Sequence, residues 1–530
     1  MNSKNAIYSL NTPKLKKWIL LLILVGVSFH LYSQGSDSLL QKPITISFKG
    51  ISVYQALNRV GETAGCYFIY DSKDVKSDKK AQAIDVVETP LKDVLNKLIS
   101  NPNIAYKVID KHILLHQQVN TAEKSEKQEI DSTGYIVVGG RIFDKDTKNA
   151  IPFATIAIEK LGLGTISNYD GFFNLRIPKY YTKLNIVISY LGYQNLTVPI
   201  EILQGKTYNL YIKPRYIPIQ EVFIRNIDAK GIVKAAIENK NLNYGDKDVF
   251  ITSFYREGVK RNNNYLNYSE AVFKIFKSDY SMGSEYDQVR LLKSRKLELS
   301  DRRDTLIVKL KAGIRGALDL DIVKSMPDFL DPEYMDNYIY TKTDIIAHGS
   351  RSAYAITFEQ KPSVTQPRYS GTLYIDVEKL VLLDAEFGVN PKYVEKAGNL
   401  FVLKKDRKID IKPESITYSV KYRELNGKYY IHHIRGDLSF KVRERRQIFA
   451  NTYSLFLEYA GIQIDTLNVE RFSRRETLRP YTIFSEGKYS YDALFWGELN
   501  IITPEDDISK ALSKINPKIE SINNDAPTQQ

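Results

Sequence analysis

Alternation between apolar and polar residues runs through most of the chain from residue 135 to residue 459 and limits what this region can fold into. Segments such as Phe172–Ile177 and Val249–Val259 alternate along their length, and turn residues such as Asn426-Gly427 separate them. A period of two places successive side chains on opposite faces of a strand. Tyrosine and phenylalanine, 37 and 22 residues, suit the pleated surface of a sheet. The sequence therefore predicts a mainly β protein.

At 530 residues the chain is too long for one hydrophobic core and predicts about two to four domains. The predicted fold is multi-domain and mainly β. It comprises a signal peptide (1–33), a small α+β domain with a βαβ repeat (42–117), a polar linker (118–133), a seven-strand β-sandwich (134–214), a large antiparallel sheet or half-barrel with flanking helices (220–500), a terminal helix (501–518) and a disordered tail (519–530).

The N-terminus has the parts of a signal peptide. A lysine-rich segment precedes the uncharged apolar run Trp18–Leu31, which is short for a membrane span of about 20 residues and typical of a signal-peptide core. Cleavage is predicted between Ser33 and Gln34, and an uncleaved anchor is the alternative. The sequence thus predicts an exported protein without a transmembrane helix in the mature chain.

Cys66 is the only cysteine, which excludes an intramolecular disulfide and a cysteine metal cluster. No cysteine stands at the cleavage point, so a lipoprotein is not expected. Loss of the four signal-peptide lysines lowers the formal charge from +13 to +9. Basic and acidic residues are interspersed, which predicts a mixed solvated surface. A surface for anionic lipid or acidic glycan is the alternative, and nucleic acid is not an expected partner after export.

Residues 42–117 contain a repeated helix pattern. Apolar residues with the i, i+3, i+4, i+7 spacing of one helix face begin at Val53 and again at Leu91. Ser52 starts a capping box, Gly65 is placed to end the first helix, and Thr89 is predicted as the N-cap of the second.

The segments that flank and form these helices resemble the secretin and TonB short N-terminal (STN) domain. The resemblance rests on Ile44–Phe48, Val53–Leu57 and Pro90–Leu95. It implies a periplasmic domain that docks proteins such as anti-sigma regulators and performs no chemistry.

Residues 135–213 predict about seven short strands and no helix, as in a β-sandwich. Gly171 is predicted at a positive-φ turn position, and Gly192 is predicted to relieve crowding beside Tyr190 and Tyr193. The region resembles the carboxypeptidase regulatory-like domain, which is abundant in envelope proteins of the Bacteroidetes. That resemblance rests on Val138–Asp144, Ile151–Ala154, Gly164-Thr165, Asn168–Phe173 and Ile188–Tyr193. It implies a non-catalytic module without a zinc site.

Residues 220–500 begin with a predicted helix over 228–239 and continue with nine alternating strands, in an order that suggests a meander. Ile232, Ala235, Ala236 and Ile237 are the predicted inward positions. The region resembles the uncharacterised segment that follows the regulatory-like domain in many Bacteroidetes proteins. The pairing of Gly371–Asp376 with Ala385–Phe387 also looks like the half-barrel of lipoprotein-carrier proteins. The markers of the first resemblance are Asn243-Tyr244, Phe254–Glu257, Glu270–Val272 and Phe495-Trp496.

The sequence predicts no catalytic, cofactor-binding or metal-binding residue, since no metalloprotease, nucleophile-elbow or phosphate-loop motif occurs. His112 and His116 belong to one predicted strand, too far apart to share a metal. His432 and His433 are adjacent on a strand and are predicted to point to opposite faces. Gly162 and Gly164 are predicted to be turn glycines.

One polar cluster stands out as a candidate site. Tyr255, Arg256 and Glu257 lie on a predicted strand that pairs with the strand of Glu270, which would place an arginine between carboxylates. The functional interpretation is a polar site inside a concave sheet. The alternative is a cross-strand ion pair that fixes the register of the sheet.

These features favour a non-enzymatic binding or adaptor protein of the periplasm, held to the outer membrane by partners. The expected partner of the N-terminal domain is an anti-sigma-type regulator or a receptor, and a lipid-like ligand is a candidate for the C-terminal domain. The alternatives are an envelope hydrolase that acts on peptide or glycan, and an accessory or signalling component of a TonB-dependent uptake system.

Overall fold

The chain divides into two compact units, residues 1–128 and 129–530. The computed structural model describes residues 39–508 except 71–74, 77–78, 100, 110, 118–133, 206, 218–227, 299–308, 311–313, 399–401, 405–408, 445–448, 479–499 and 506–507. The predicted signal peptide with Ser33 and Gln34, the linker, Phe495-Trp496 and the tail lie outside the described residues.

The first unit is the expected small α+β fold. Ser52 and Gln55 form the predicted capping box at the first helix, and Gly65 ends that helix at φ 73°. The prediction for Thr89 is wrong, because Pro90 is the N-cap of the second helix and the Thr89 hydroxyl donates to the carbonyl of Val87. The elements are β1 (Pro43–Phe48), α1 (Val53–Ala64), β2 (Tyr67–Tyr70), β3 (Ile84–Pro90), α2 (Leu91–Leu98), β4 (Ile104–Ile109) and β5 (His112–Gln117).

The second unit starts with the seven predicted strands of the sandwich, arranged in sheets of order β11-β10-β7-β8 and β12-β6-β9. Gly171 has the predicted positive φ, 83°. Gly192 is required for its φ of 87°, not to relieve crowding, since an added Cβ would lie 3.7 Å from the nearest side-chain atom, on Ile346. The strands are β6 (Tyr135–Asp144), β7 (Thr155–Ile158), β8 (Gly164–Ile166), β9 (Phe172–Pro178), β10 (Asn185–Ser189), β11 (Leu196–Pro199) and β12 (Thr207–Ile212).

A ten-stranded antiparallel sheet forms the rest of the second unit. The helices of this region are α3 (Ala229–Glu238), α4 (Lys240–Asn243), α5 (Ile314–Asp319) and α6 (Ile322–Ser325). Its strands are β13 (Val249–Arg261), β14 (Asn264–Lys277), β15 (Gln288–Glu298), β17 (Tyr338–His348), β18 (Arg351–Gln360), β19 (Tyr369–Asp376), β20 (Leu382–Val389), β22 (Ile409–Leu425), β23 (Lys428–Glu444) and β24 (Asn451–Asp465); β16 (Lys309-Leu310) and β21 (Val402–Lys404) form a separate pair.

The strand order corrects the prediction of one continuous meander. The order is β15-β14-β13-β24-β23-β22-β20-β19-β18-β17, so the first three strands form one meander and the chain then crosses to the far edge and returns to β13. Strand β15 was not predicted, because its sequence does not alternate clearly between apolar and polar residues. The polar residues include Arg290, Lys293 and Lys296. In the described part of the chain β15 and β17 are the two edges, so the sheet is open.

One face of this sheet packs against α3, α5 and α6 in a single core. The inward face of α3 is largely as predicted: Ala236 is buried, and Ile232 and Ile237 are half-buried and pack against the core. Val233, which was not predicted, is also buried, and Ala235 is half-buried. The short helices α5 and α6 lie between β15 and β17 in the chain. Most of the predicted terminal helix falls outside the described residues, and residues 501–505 are not helical. No helix in the described ranges is long and apolar enough to cross a membrane.

Candidate functional site

Five charged residues form a row across the face of the large sheet that is opposite to the main core. Each is the direct register partner of the next on a neighbouring strand, in the order Arg295, Glu270, Arg256, Glu458 and Arg435. The charges alternate, and all but the partly buried Arg435 are buried. We call this set the charge row.

The structure separates the predicted polar cluster into two faces. Arg256 and Glu270 lie opposite each other in the charge row, but Glu270 pairs with Arg295 and Arg256 pairs with Glu458. Tyr255 belongs to the core face, and its hydroxyl donates to Glu257 at 2.7 Å. The expected placement of Arg256 between Glu257 and Glu270 is therefore wrong, because neighbouring strand residues point in opposite directions.

Glu458 is the centre of the charge row. It accepts from Arg256, lies 3.0 Å from His433 Nε2 and lies 3.5 Å from Arg435. Burial alone would raise the pKa of Glu458, but the adjacent Arg256 and the hydrogen bond from His433 hold it far below its usual range. Glu505 adds a carboxylate 3.1 Å from Arg256. In the part of the chain that the structure describes, the three arginines of this group are thus balanced by three carboxylates, Glu270, Glu458 and Glu505.

A β-bulge beside the row orients two histidines. In the register of β22 against β23, His433 is opposite Lys421 and Ile431 is opposite Tyr422. His432 therefore has no register partner on β22 and is the extra residue of the bulge. Ile431 and Ile434 both belong to the core on the other face, so the two histidines between them point toward the sandwich. The prediction that they point to opposite faces is wrong, because a bulge breaks the alternation.

The sandwich joins the large sheet where β23 and β24 separate. The amide of Ile464 in β24 donates to the carbonyl of Gly162 at 3.1 Å, and the ring of Phe153 stacks on His433 at 5.0 Å. Neither Gly162 nor Gly164 has a positive φ. They are needed for close approach, since a Cβ on Gly162 would lie 2.2 Å from the Ile464 carbonyl and a Cβ on Gly164 would lie 2.2 Å from Arg423 Nη1.

Replacing Gly162 by alanine is expected to lower the free energy of unfolding by about 1–3 kcal/mol, because the methyl group overlaps backbone that cannot move aside. Gly398→Ala is the matched control, since its Cβ would meet nothing nearer than 3.6 Å. Urea denaturation of both variants measures the difference. Equal stability of the two would contradict the close contact.

A cleft of about 430 Å³ lies between the sandwich and the large sheet. The sandwich contributes residues of β7, β10 and the loop after β7, and the sheet contributes β20, β22 and the ends of two hairpins. The apolar part of the lining includes Phe153, Val187, Tyr190, Leu191 and Leu383. We call this space the interdomain cleft.

Most charged groups in the interdomain cleft already have partners. Lys421 lies 2.9 Å from Asp384. Arg351 lies 3.2 Å from Glu424 and donates to the Tyr429 hydroxyl at 2.8 Å. Arg423 differs: its Nη2 donates to the Gly162 carbonyl at 2.6 Å, and its Nη1 has no hydrogen-bond partner among the described residues.

His348 lines the same cleft in its neutral form. Burial, and next the charge of Arg351, lower the pKa of His348 to about 4. Its Nδ1 has no hydrogen-bond partner in the ranges that the structure describes. A nucleophile activated by a histidine needs a hydrogen bond between the two, and the described part of the cleft contains none.

A second buried ionic group lies on the core side, where α6 meets the end of β14. Lys277 lies 2.8 Å from Asp287 and 2.7 Å from Asp321, and Lys324 lies 2.6 Å from Asp287. Burial, and next the charge of Lys277, lower the pKa of Lys324 to about 8. Two lysines match two aspartates with no surplus charge, so this group fastens α6 to the sheet.

Sequence reasoning did not find the residues of the cleft. Lys421 and Arg423 stand on the polar face of an alternating strand, and a polar face that meets a second domain has the same pattern as one that meets solvent. The signal that was available is the pair Gly162 and Gly164, which marks a place where another segment approaches closely.

Comparison with known families identifies the sandwich. Residues 138–224 match the CarboxypepD_reg-like domain. This confirms the resemblance drawn from the motifs of the sandwich, and the domain is of the regulatory type. No curated protein sequence matches the chain.

Similar solved structures are remote. A DUF1329 family protein from Desulfovibrio piger is 12% identical, with 46% of this chain and 95% of that chain covered and a TM-score of 0.21. The FpvAI–pyocin S2 complex is 8% identical, with 82% and 61% covered and a TM-score of 0.15. The ferripyoverdine receptor of the Pseudomonas aeruginosa outer membrane is 7% identical, with 77% and 58% covered and a TM-score of 0.13. Scores this low carry no argument about function.

Proposed function

We propose that this chain is a non-enzymatic binding protein of the bacterial envelope that holds a small ligand in the interdomain cleft. The observation that carries the proposal is the cleft itself. Its volume of about 430 Å³ falls within the range of small-molecule sites. Its lining combines aromatic and aliphatic side chains with about as many polar and charged ones, which suits a ligand that has both an apolar and a polar part.

Export to the periplasm is part of the same proposal. It rests on the signal-peptide pattern of residues 1–33 and on the regulatory-type module at residues 138–224. A hydrolase of envelope peptide or glycan is the competing proposal. It is the less favoured one, because Nδ1 of His348 has no hydrogen-bond partner among the described residues to orient the ring as a general base.

A cleft-filling substitution tests the ligand proposal. Val187 on β10 lines the cleft and is half-buried, so Val187→Trp is expected to occupy the space and weaken ligand binding at least about tenfold. The probe is N-phenylnaphthylamine, an uncharged aromatic dye whose fluorescence rises in apolar surroundings. Val137→Trp is the matched control, because Val137 is an exposed strand residue of the same sandwich. Saturable binding that persists in Val187→Trp would contradict the proposal.

The N-terminal unit is proposed to dock a periplasmic partner, an anti-sigma-type regulator or a TonB-dependent receptor. The support is the resemblance of residues 42–117 to the STN domain. Cross-linking of the mature chain in its native envelope should recover such a partner, and deletion of residues 42–117 should abolish its recovery. If the partner is still recovered after the deletion, the N-terminal unit is not its docking site and the second unit is.

A further inference from the structure

Arg423 is an exception among the buried cations. The described residues contain six lysines and arginines that are buried: Arg256, Lys277, Arg295, Lys324, Lys421 and Arg423. Five of them lie within 2.9 Å of a carboxylate oxygen. Arg423 is 8% exposed and has no carboxylate partner within the part of the chain that the structure describes.

The described residues contribute three carboxylates to the lining of the cleft, of which Asp384 and Glu424 are already engaged and Glu159 is exposed. Asp384 is held by Lys421 at 2.9 Å. Glu424 accepts from Lys379 at 3.0 Å and from Tyr429 at 2.8 Å, and it lies 3.2 Å from Arg351. Among the described residues these contacts leave the guanidinium group of Arg423 without a counter-charge. A buried charge in that state is costly for the fold, and a ligand in the cleft is one source of the counter-charge.

The position of the guanidinium group favours a ligand over a structural role. Arg423 lines the interdomain cleft, and the missing side chain of Gly164 makes room for Nη1, since a Cβ there would lie 2.2 Å away. Burial lowers the pKa of Arg423 to about 10, so the group remains charged at neutral pH. The other basic groups that the large sheet contributes to the cleft cannot replace it, because Lys421 and Arg351 are paired with carboxylates and His348 is neutral.

We propose that the interdomain cleft binds an organic oxyanion whose carboxylate, sulfonate or phosphate head pairs with Arg423 and whose apolar body contacts the aromatic and aliphatic lining. A guanidinium group matches such heads because its donors lie in one plane and can bind two oxygens. The inference rests on the proposed function and names the ligand class of the same site.

Two dyes that differ by one sulfonate group test the inference with the full mature chain. Anilinonaphthalene sulfonate carries the head and the body, whereas N-phenylnaphthylamine carries the body alone. The sulfonate dye is expected to bind at least about tenfold more tightly, as a charge-assisted hydrogen bond in a buried site should provide. Inorganic phosphate, a head without a body, is expected to compete only weakly.

Substitutions of Arg423 should remove the preference for the charged dye. Arg423→Gln is expected to bring the two dye affinities within about threefold of each other and to leave binding of the uncharged dye unchanged. Arg423→Lys should keep part of the preference, because it keeps the charge and loses the planar donors. Lys160→Gln, which removes an exposed charge at the rim of the cleft, is the control and should change the ratio less than about threefold.

Stability provides an independent readout. The Tm of ligand-free Arg423→Gln should equal or exceed that of the wild type, because an uncompensated charge has been removed. Anilinonaphthalene sulfonate should raise the Tm of the wild type and leave that of Arg423→Gln unchanged. Equal binding of both dyes in wild type and Arg423→Gln, lost in Val187→Trp, would overturn the oxyanion inference and leave the proposed function standing. Binding of neither dye in the cleft would overturn both.

Discussion

Replacing Glu458 by glutamine is expected to lower the free energy of unfolding by about 3–5 kcal/mol, because it leaves Arg256 buried beside a neutral group. Both side chains are fully buried, so solvent does not compensate the remaining charge. The only other carboxylate in contact with Arg256 in the described ranges is Glu505. Urea denaturation followed by circular dichroism measures the change.

Glu476→Gln is the matched control for this substitution. Glu476 also accepts from an arginine, Arg290, at 3.0 Å, but its side chain is 46% exposed. Exposed pairs contribute little to stability, so Glu476→Gln should change the free energy of unfolding far less than Glu458→Gln does. A loss below about 1 kcal/mol for Glu458→Gln would show that the charge row is not a buried ionic network.

The pH dependence of Glu458→Gln follows from the same contacts. The folded-state pKa of Glu458 lies below its value of about 4.3 in an unfolded chain. Its contribution to stability is therefore fully present above about pH 4.3 and is lost as the pH falls toward the folded-state pKa. The wild type should lose more stability than Glu458→Gln between about pH 5 and about pH 3.

Replacing Asp287 by asparagine is expected to have a comparable effect, a loss of about 3–5 kcal/mol. Asp287 binds both Lys277 and Lys324, and its loss leaves two buried lysines with Asp321 alone. Adding Lys324→Met in the Asp287→Asn background removes the surplus charge and should restore at least about half of the lost stability.

Asp246→Asn is the control for Asp287→Asn. Asp246 pairs with Lys428 at 3.1 Å, but its side chain is 56% exposed, so the expected loss of stability is far smaller than for Asp287→Asn. If Lys324→Met failed to rescue Asp287→Asn, the surplus-charge explanation would be wrong. The lost stability would then come from the hydrogen bonds that Asp287 accepts from Ser278.

Strand positions could be predicted where one face of the strand is buried and the other face is exposed to solvent. The seven sandwich strands and nine strands of the large sheet alternate clearly for this reason. The turn between β22 and β23 could also be predicted, because Asn-Gly is the sequence that favours a two-residue hairpin turn. Asn426 and Gly427 adopt the positive φ that such a turn requires, 51° and 82°. The positive φ of Gly171 and the Ser52 capping box could be predicted for the same reason, because each depends only on residues close together in the sequence.

Features that depend on distant segments could not be predicted. Strand β15 has charged residues on the face that carries Arg295, and the pairing of β13 with β24 joins segments about 200 residues apart. Arg256 was singled out as a member of a polar cluster, but its partner Glu458 lies about 200 residues further along the chain. The cleft combines the loop at Gly162 with Arg423, and local periodicity contains no information about such a contact.

The most direct test of the binding proposal is a crystal structure of the mature protein with anilinonaphthalene sulfonate. The proposal predicts the dye between β10 and β22, with its aromatic rings against Val187 and Tyr190 and a sulfonate oxygen about 3 Å from a nitrogen of the Arg423 guanidinium group. A dye molecule found only on the N-terminal unit or on an outer surface, with the interdomain cleft empty, would contradict it.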